Sequence, residues 1–110
     1  MDTFTIFDRV CAVKEISQEA FLSHLNYALA ELCAMYGEDK VMEGAPHPTE
    51  KVGDAVNVYE EYVPAILDDI LFLVTGDDRH KTDFVSHARY AYNTLWRKRN
   101  LRRRIRREVW

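Results

Sequence analysis

Histidine and carboxylate side chains near the end of the chain have the spacing of potential metal ligands. His80, Asp83 and His87 stand at i, i+3 and i+7, so they share one side of a helix. Both residue types bind zinc, but a zinc site needs a fourth ligand and a supporting shell of hydrogen bonds, and the sequence offers neither. We therefore expect these residues to be the solvated flank of an amphipathic helix, without a metal.

Two pairs of adjacent acidic residues raise the question of acid–base catalysis. They are Glu60–Glu61 and Asp68–Asp69. Adjacent side chains on a helix diverge by about 100°, so neither pair can act together on one substrate atom. The sequence also has no glycine-rich phosphate loop, no nucleophile elbow and no Cys–His pairing at a recognisable spacing. It therefore predicts a protein that is not an enzyme and needs no cofactor, with Asp68 and Asp69 in a solvated acidic edge.

The strongest signal is the charge of residues 97–110, here called the basic segment. It carries a net charge of +7, whereas the other 96 residues carry −10 within a total of −3. This asymmetry indicates that one end of the chain meets an acidic partner. The basic residues are Arg97, Lys98, Arg99, Arg102, Arg103, Arg104, Arg106 and Arg107.

Apolar residues recur within the basic segment. Leu101, Ile105 and Val109 are four residues apart, and the sequence ends on Trp110. On a continuous helix this stripe is rotated by roughly 100° from the core-facing arc, which ends near residue 97. That predicted arc consists of Phe84, Ala88, Ala91, Tyr92, Leu95 and Trp96. A segment that serves only solubility needs no such stripe, and a tryptophan is suited to fill a pocket. The pattern predicts that the whole segment is a docking element.

The elements that must position this segment are predicted from apolar periodicity and from helix caps. The chain is long enough for one domain, an all-α bundle with residues 1–96 as an acidic body. Phe72 projects away from the main apolar face, and we expect it to form a subunit interface with Asp68 and Asp69. The predicted parts are three main helices near 18–36, 63–75 and 79–97 or beyond, a long irregular loop at 38–57, and a first segment, 3–13, that suits a helix or a strand.

Two further features concern the environment of the chain. No run of about 18 uncharged apolar residues is present, so we expect no membrane contact. The first residues lack the basic region of a secretory signal, which predicts that the protein stays in the cytoplasm of the cell that makes it. Cys11 and Cys33 are consistent with a disulfide bond or with two free thiols, and the lack of an export signal favours free thiols.

Two segments of the body have a familiar pattern. SQEAFLSHLNYALAELCAMYG resembles the opening helix of small phage neck proteins, and YVPAILDDILFLVTGDDRHKTDFVSHARYAYNTLW resembles their second half. In that half a Tyr-x-Pro-x-hydrophobic entry starts a helix, Gly-Asp-Asp breaks it, and a third helix carries spaced alanine and aromatic residues. The chain thus resembles the head–tail connector, or adaptor, proteins of tailed bacteriophages over residues 15–96.

The resemblance implies a structural virion protein located in the phage neck. About twelve copies would form a ring between the portal and the tail and would continue the DNA channel. The implied partners are the portal protein, a tail or stopper protein, and other copies of this chain. The C-terminal segment of such proteins typically reaches the portal, which assigns the basic segment to portal docking.

The basic segment also suits two other functions. Eight basic residues at helical spacing fit a nucleic-acid-binding protein, or non-specific contact with genomic DNA in the channel. An arginine-rich RNA-binding peptide fused to a helical body is another possibility. The acidic body opposes nucleic-acid binding, and asparagine and glutamine, which can read base edges, are nearly absent from the segment.

Overall fold

The protein is mainly helical. The computed structural model describes residues 1–44 and 49–97, and this part of the chain contains five α-helices and no β-strand. The predicted helical fold is confirmed, whereas the three-helix description omits the first and third helices. The α-helices are α1 (Thr3–Val13), α2 (Gln18–Tyr36), α3 (Glu38–Val41), α4 (Val63–Thr75) and α5 (Asp78–Tyr92); a 3₁₀ turn (Glu60–Tyr62) precedes α4 and a π-helical turn (Asn93–Arg97) follows α5.

The helix ends follow from local chemistry. The Ser17 hydroxyl accepts a hydrogen bond from the Ala20 amide and caps α2. Gly76 ends α4 in the left-handed conformation, with φ of 74°, and its amide donates to the Phe72 carbonyl at 2.7 Å. The Asp77 carboxylate then caps α5. Because α4 and α5 are separated by so few residues, they pack as an antiparallel pair.

The core surrounds α4. This helix packs most extensively against α5 and also contacts α2 and α1. Its fully buried side chains therefore lie on more than one side of the helix, which agrees with its wide apolar arc. The largest fully buried apolar side chains of the core are Tyr62, Phe21, Phe84, Leu25, Leu32, Ile66, Ile70, Val10 and Val41. None of the helices in the described ranges is both long and apolar enough to cross a membrane.

The region predicted as an irregular loop is tied to the body. It begins with α3, and Met42 and Val56 are buried in the core, as is Val58 directly after it. Near its middle, the Asn26 side chain of α2 accepts from the Thr49 amide at 3.1 Å and donates to the Thr49 carbonyl at 3.2 Å. This paired contact satisfies both backbone groups of a buried residue, so it fixes the path of the chain over α2.

We expect replacement of Asn26 by alanine to reduce the free energy of unfolding by about 1–3 kcal/mol, because two backbone groups at Thr49 lose their partners. Urea unfolding followed by circular dichroism measures the change. Asn57→Ala is the control, since Asn57 is an exposed residue of the same region. Equal unfolding midpoints for the two variants would show that the contact does not hold the region in place.

Candidate functional site

The predicted docking element begins at the edge of the described part of the chain. Of its residues, only Arg97 is described, and it is exposed. The others lie outside the described residues: Lys98, Arg99, Leu101, Arg102, Arg103, Arg104, Ile105, Arg106, Arg107, Val109 and Trp110. The site that the structure can define is therefore the base of the basic segment, where α5 ends.

The end of α5 is packed on the body up to this base. The predicted core-facing arc is buried at Phe84, Ala88 and Ala91, and Leu95 keeps only 5% of its surface exposed. Tyr92 and Trp96, at the border of the arc, are partly buried. Beyond them the sequence supplies arginines in place of apolar residues. The chain is thus packed on the body up to Trp96, and the run of basic residues begins at the next residue, Arg97.

The last turn before the basic segment is not α-helical. Asn93–Arg97 form a π-helical turn, and the Asn93 amide donates to the carbonyls of both Arg89 and Tyr90. A π-helical turn holds more residues than an α-helical turn, so it changes which side chains face the body. Such turns are rare in proteins, and those that occur are often found at functional sites. Here the turn directs both Leu95 and Trp96 towards the body.

Trp96 joins this turn to a distant part of the chain. Its indole Nε1 donates to the Lys40 carbonyl at 3.0 Å. The Lys40 ammonium lies 4.3 Å from the centre of the indole ring, within the range of a cation–π contact. The Tyr59 ring meets the indole edge to face, with centroids 5.6 Å apart. These contacts fix the base of the basic segment on α3, and we call them the Trp96 anchor.

Three tyrosines pack against one another next to the Trp96 anchor. Tyr36 and Tyr92 stack with centroids 4.8 Å apart, and Tyr62 lies 6.4 Å from Tyr36. Burial raises the pKa of Tyr62 strongly and the pKa of Tyr36 as well. Both side chains are therefore neutral phenols at physiological pH. They serve as apolar packing with polar tips and are unsuited to act as bases.

Acidic residues surround the anchor in sequence. Glu38, Asp39 and Glu43 flank Lys40, and Glu60 and Glu61 follow Tyr59; all five are exposed. Glu60 also pairs with the ammonium group of Met1 at 3.2 Å. Trp96, which directly precedes the basic segment, therefore contacts two residues that are flanked in sequence by carboxylates. Contacts between exposed charges are weak and are screened by salt, so these carboxylates contribute little to the stability of the anchor.

The prediction that Asp68 and Asp69 form a solvated acidic edge on α4 is wrong. Asp69 is fully buried, and its Oδ1 accepts from the Lys81 ammonium at 3.2 Å. The side chain of Asp68 is 14% exposed, and its Oδ2 is in hydrogen-bond contact with His87 Nδ1. Both carboxylates bind α5 because α4 lies at the centre of the bundle, where its flanks as well as its apolar face are covered. Phe72 is partly buried, with the Lys81 ammonium 5.6 Å from its ring centre.

The potential metal ligands His80, Asp83 and His87 lie on α5. His87 is engaged by Asp68, and Asp83 is exposed. Within the described residues, no group of three or more histidine, cysteine, aspartate or glutamate side chains is placed to hold a metal ion. Cys11 and Cys33 are free thiols.

Comparison with protein families, curated proteins and solved structures found no match to this chain. The candidate site is therefore defined by contacts within the chain. Sequence analysis placed Trp96 at the body but missed its partners. Lys40 lies in the region predicted as a loop, and Tyr59 lies between that region and the helix predicted near 63–75. The sequence signal available for an ordered segment near Tyr59 was the Tyr-x-Pro pattern of Tyr62 and Pro64, which starts a helix.

The Trp96 anchor predicts graded losses of stability. We expect Trp96→Phe, which removes the hydrogen bond to Lys40 but keeps an aromatic ring, to lower the free energy of unfolding by about 1 kcal/mol. Trp96→Ala also removes the ring contacts and should cost about 2–3 kcal/mol, near the lower limit for a large aromatic because the ring is only partly buried.

Urea unfolding and amide hydrogen exchange over Asn93–Arg97 measure these effects. The control is Tyr90→Ala on the same helix, since Tyr90 is 69% exposed and should tolerate the change within about 0.5 kcal/mol. If Trp96→Ala unfolds at the midpoint of Tyr90→Ala, with unchanged exchange in the turn, the anchor does not hold the base of the segment.

Proposed function

We propose that this chain is a structural virion protein, a head–tail connector that docks on the portal of a tailed bacteriophage through residues 97–110. The observation that carries the proposal is the Trp96 anchor, which holds the start of a segment of charge +7 on a body of charge −10. The resemblance of residues 15–96 to connector proteins supports the same assignment.

An anchored base suits a docking element for an energetic reason. Fixing one end of a segment before binding reduces the freedom that binding must remove, which increases affinity without any new contact. A segment that serves only solubility gains nothing from an anchor. The proposed role of the arginines is to speed the encounter with an acidic portal surface and to set the orientation. The proposed role of Leu101, Ile105, Val109 and Trp110 is lasting attachment.

The ring is the second part of the proposal. A ring requires each subunit to present two different surfaces to its neighbours. Exposed large apolar side chains on α1, α2 and α5 are the present candidates, together with the 38–57 region and Phe72; they are Phe4, Val13, Tyr27, Met35, Val85 and Tyr90. Asp69 is excluded from a subunit interface because it is buried within the subunit. Asp68 already contacts His87 of the same subunit.

The connector proposal includes a location and a set of partners. The protein would be made in the host cytoplasm and located in the phage neck, in contact with the portal protein, a tail or stopper protein and about eleven further copies. It would act as a structural part, without catalysis, a cofactor or a membrane partner. Non-specific contact of the arginines with genomic DNA in the channel is compatible with this role.

Nucleic-acid binding is the second candidate function. The observation that favours it is the density of arginine in residues 97–110, which suits phosphate contacts. The exposed carboxylates around the Trp96 anchor oppose it, because they repel a polyanion at the base of the segment. The two functions differ in their salt dependence, which provides the test.

Portal binding across a salt series should depend mainly on the apolar residues of the segment. Burial of one apolar side chain contributes roughly 1.5–3 kcal/mol, whereas an exposed ion pair contributes about 0–1 kcal/mol and weakens with salt. We expect replacement of Leu101, Ile105 and Trp110 by serine to abolish binding at all salt concentrations. Replacement of Arg102, Arg103, Arg106 and Arg107 by glutamine should mainly slow association at low salt.

Binding kinetics on immobilised portal and the mass of the complex measure both variants, with circular dichroism as the control for folding. Parent-like portal binding by the serine variant would contradict the docking role. If the parent and the serine variant also shift DNA at moderate salt while the glutamine variant does not, the basic segment binds nucleic acid. A ring seen with portal but not with the isolated protein would support the connector assignment.

A further inference from the structure

A charged cluster is enclosed where α2, α4 and α5 meet. Lys81 on α5 donates to Glu31 on α2 and to Asp69 on α4. Asp69 is fully buried, and the Glu31 side chain is 24% exposed. Two carboxyl groups therefore face one ammonium group, so the cluster has a net charge of −1 if both carboxyls are ionised.

The two carboxyl groups also face each other. The Glu31 carboxyl lies within hydrogen-bonding reach of Asp69. Glu31 Oε2 and Asp69 Oδ2 are buried, and within the described residues each lacks a hydrogen-bond donor. Ionised carboxylates only accept hydrogen bonds, so two of them cannot satisfy each other. A single proton between the oxygens satisfies both, because the protonated group donates to the ionised one.

We propose that Glu31 and Asp69 share one proton and that this proton, with Lys81, locks α2 and α5 onto α4. With the proton bound, the cluster is neutral and each buried oxygen has a partner. Without it, one excess negative charge remains between the helices. Burial of an unbalanced charge is costly, so loss of the proton weakens the contact of α2 with α4.

The electrostatics of the site support this assignment. Burial is the largest cause that raises the pKa of Asp69 to about 6; the Glu31 carboxyl raises it further, and Lys81 lowers it. Burial by itself would lower the pKa of Lys81, but the hydrogen bonds to Glu31 and Asp69 outweigh it, and the pKa is raised. Lys81 therefore stays charged throughout, and Asp69 is the group of the cluster whose pKa lies in the tested pH range.

Charged groups on the neighbouring elements have other partners. On α4, Asp68 pairs with His87 of α5. The Lys14 ammonium, at the end of α1, lies 3.4 Å from the Val74 carbonyl, at the far end of α4 from its entry. On α5, Asp77 and Arg79 pair with each other. Glu31 and Lys81 are thus the charged groups that act on Asp69 in the described part of the chain.

The expected pH dependence has a definite sign. The pKa of Asp69 is higher in the folded protein than its ordinary value of 3.8, so folding favours the protonated form. This contribution is fully present below pH 3.8 and is lost as pH rises through about 6. We expect the folding equilibrium constant to fall by about tenfold between pH 5 and pH 8 because of this group.

The test uses two amide variants of the full chain, Asp69→Asn and Glu31→Gln. In either, an amide N–H takes the place of the shared proton without titrating. We expect the urea midpoint of the parent to fall between pH 5 and pH 8, and both variants to lose most of that fall. At pH 8 Asp69→Asn should be at least as stable as the parent. Asp83→Asn, an exposed change on α5, is the control and should keep the parent's profile.

Infrared spectroscopy provides a readout that does not depend on stability. A protonated carboxyl group has a C=O stretch distinct from that of a carboxylate, and we expect this band in the parent near pH 5 and its loss in Asp69→Asn. A parent stability that is unchanged or rises from pH 5 to pH 8 would overturn the proposal. So would amide variants that keep the parent's pH profile, or a parent without the protonated band.

Discussion

The enclosure of α4 is the constraint on which the rest of this structure depends. A helix with α5, α2 and α1 packed around it has few positions that can remain in water, whatever its sequence. Its two adjacent aspartates accordingly lie against other helices, Asp69 with Lys81 and Asp68 with His87. Because both partners lie on α5, the acidic pair sets the position of α5 along α4. The end of α5, and with it the Trp96 anchor, follows from that position.

This constraint separates what the sequence could predict from what it could not. The ends of α2 and α4 were predictable because Ser17, Gly37, Pro64 and Gly76 act locally and do not depend on the fold. The burial of Asp69 was not, since periodicity describes one helix and gives no information on how many neighbours it has. An aspartate at the border of an apolar arc is predicted to be solvated unless the helix is known to lie at the centre of the bundle. Glu31 and Lys81 were missed for the same reason.

The candidate site was predictable only in part. Sequence periodicity placed Leu95 and Trp96 on the body and placed the change of character near residue 97, in agreement with the burial of Leu95 and the contacts of Trp96. The partners of Trp96 are Lys40, which glycine and proline content assigned to a loop, and Tyr59, which lies just after that loop. The contact with Lys40 joins residues 56 positions apart, and such a contact leaves no local pattern. The side of the helix on which Trp96 lies can therefore be predicted from the sequence, whereas the residues that Trp96 contacts cannot.

The contacts of Lys81 with Glu31 and Asp69 and the Trp96 anchor lie near the two ends of α5. Lys81 lies in the first turn of α5 and Trp96 in the turn that follows it, and both connect α5 to the chain of α2 and α3. In the proposed arrangement, loss of the shared proton weakens the contact of α2 with α4. Helix α3 follows α2 directly through Gly37. The carbonyl that receives the Trp96 indole belongs to α3. The base of the basic segment is thus mechanically continuous with the buried carboxyl pair, although the two sites share no residue.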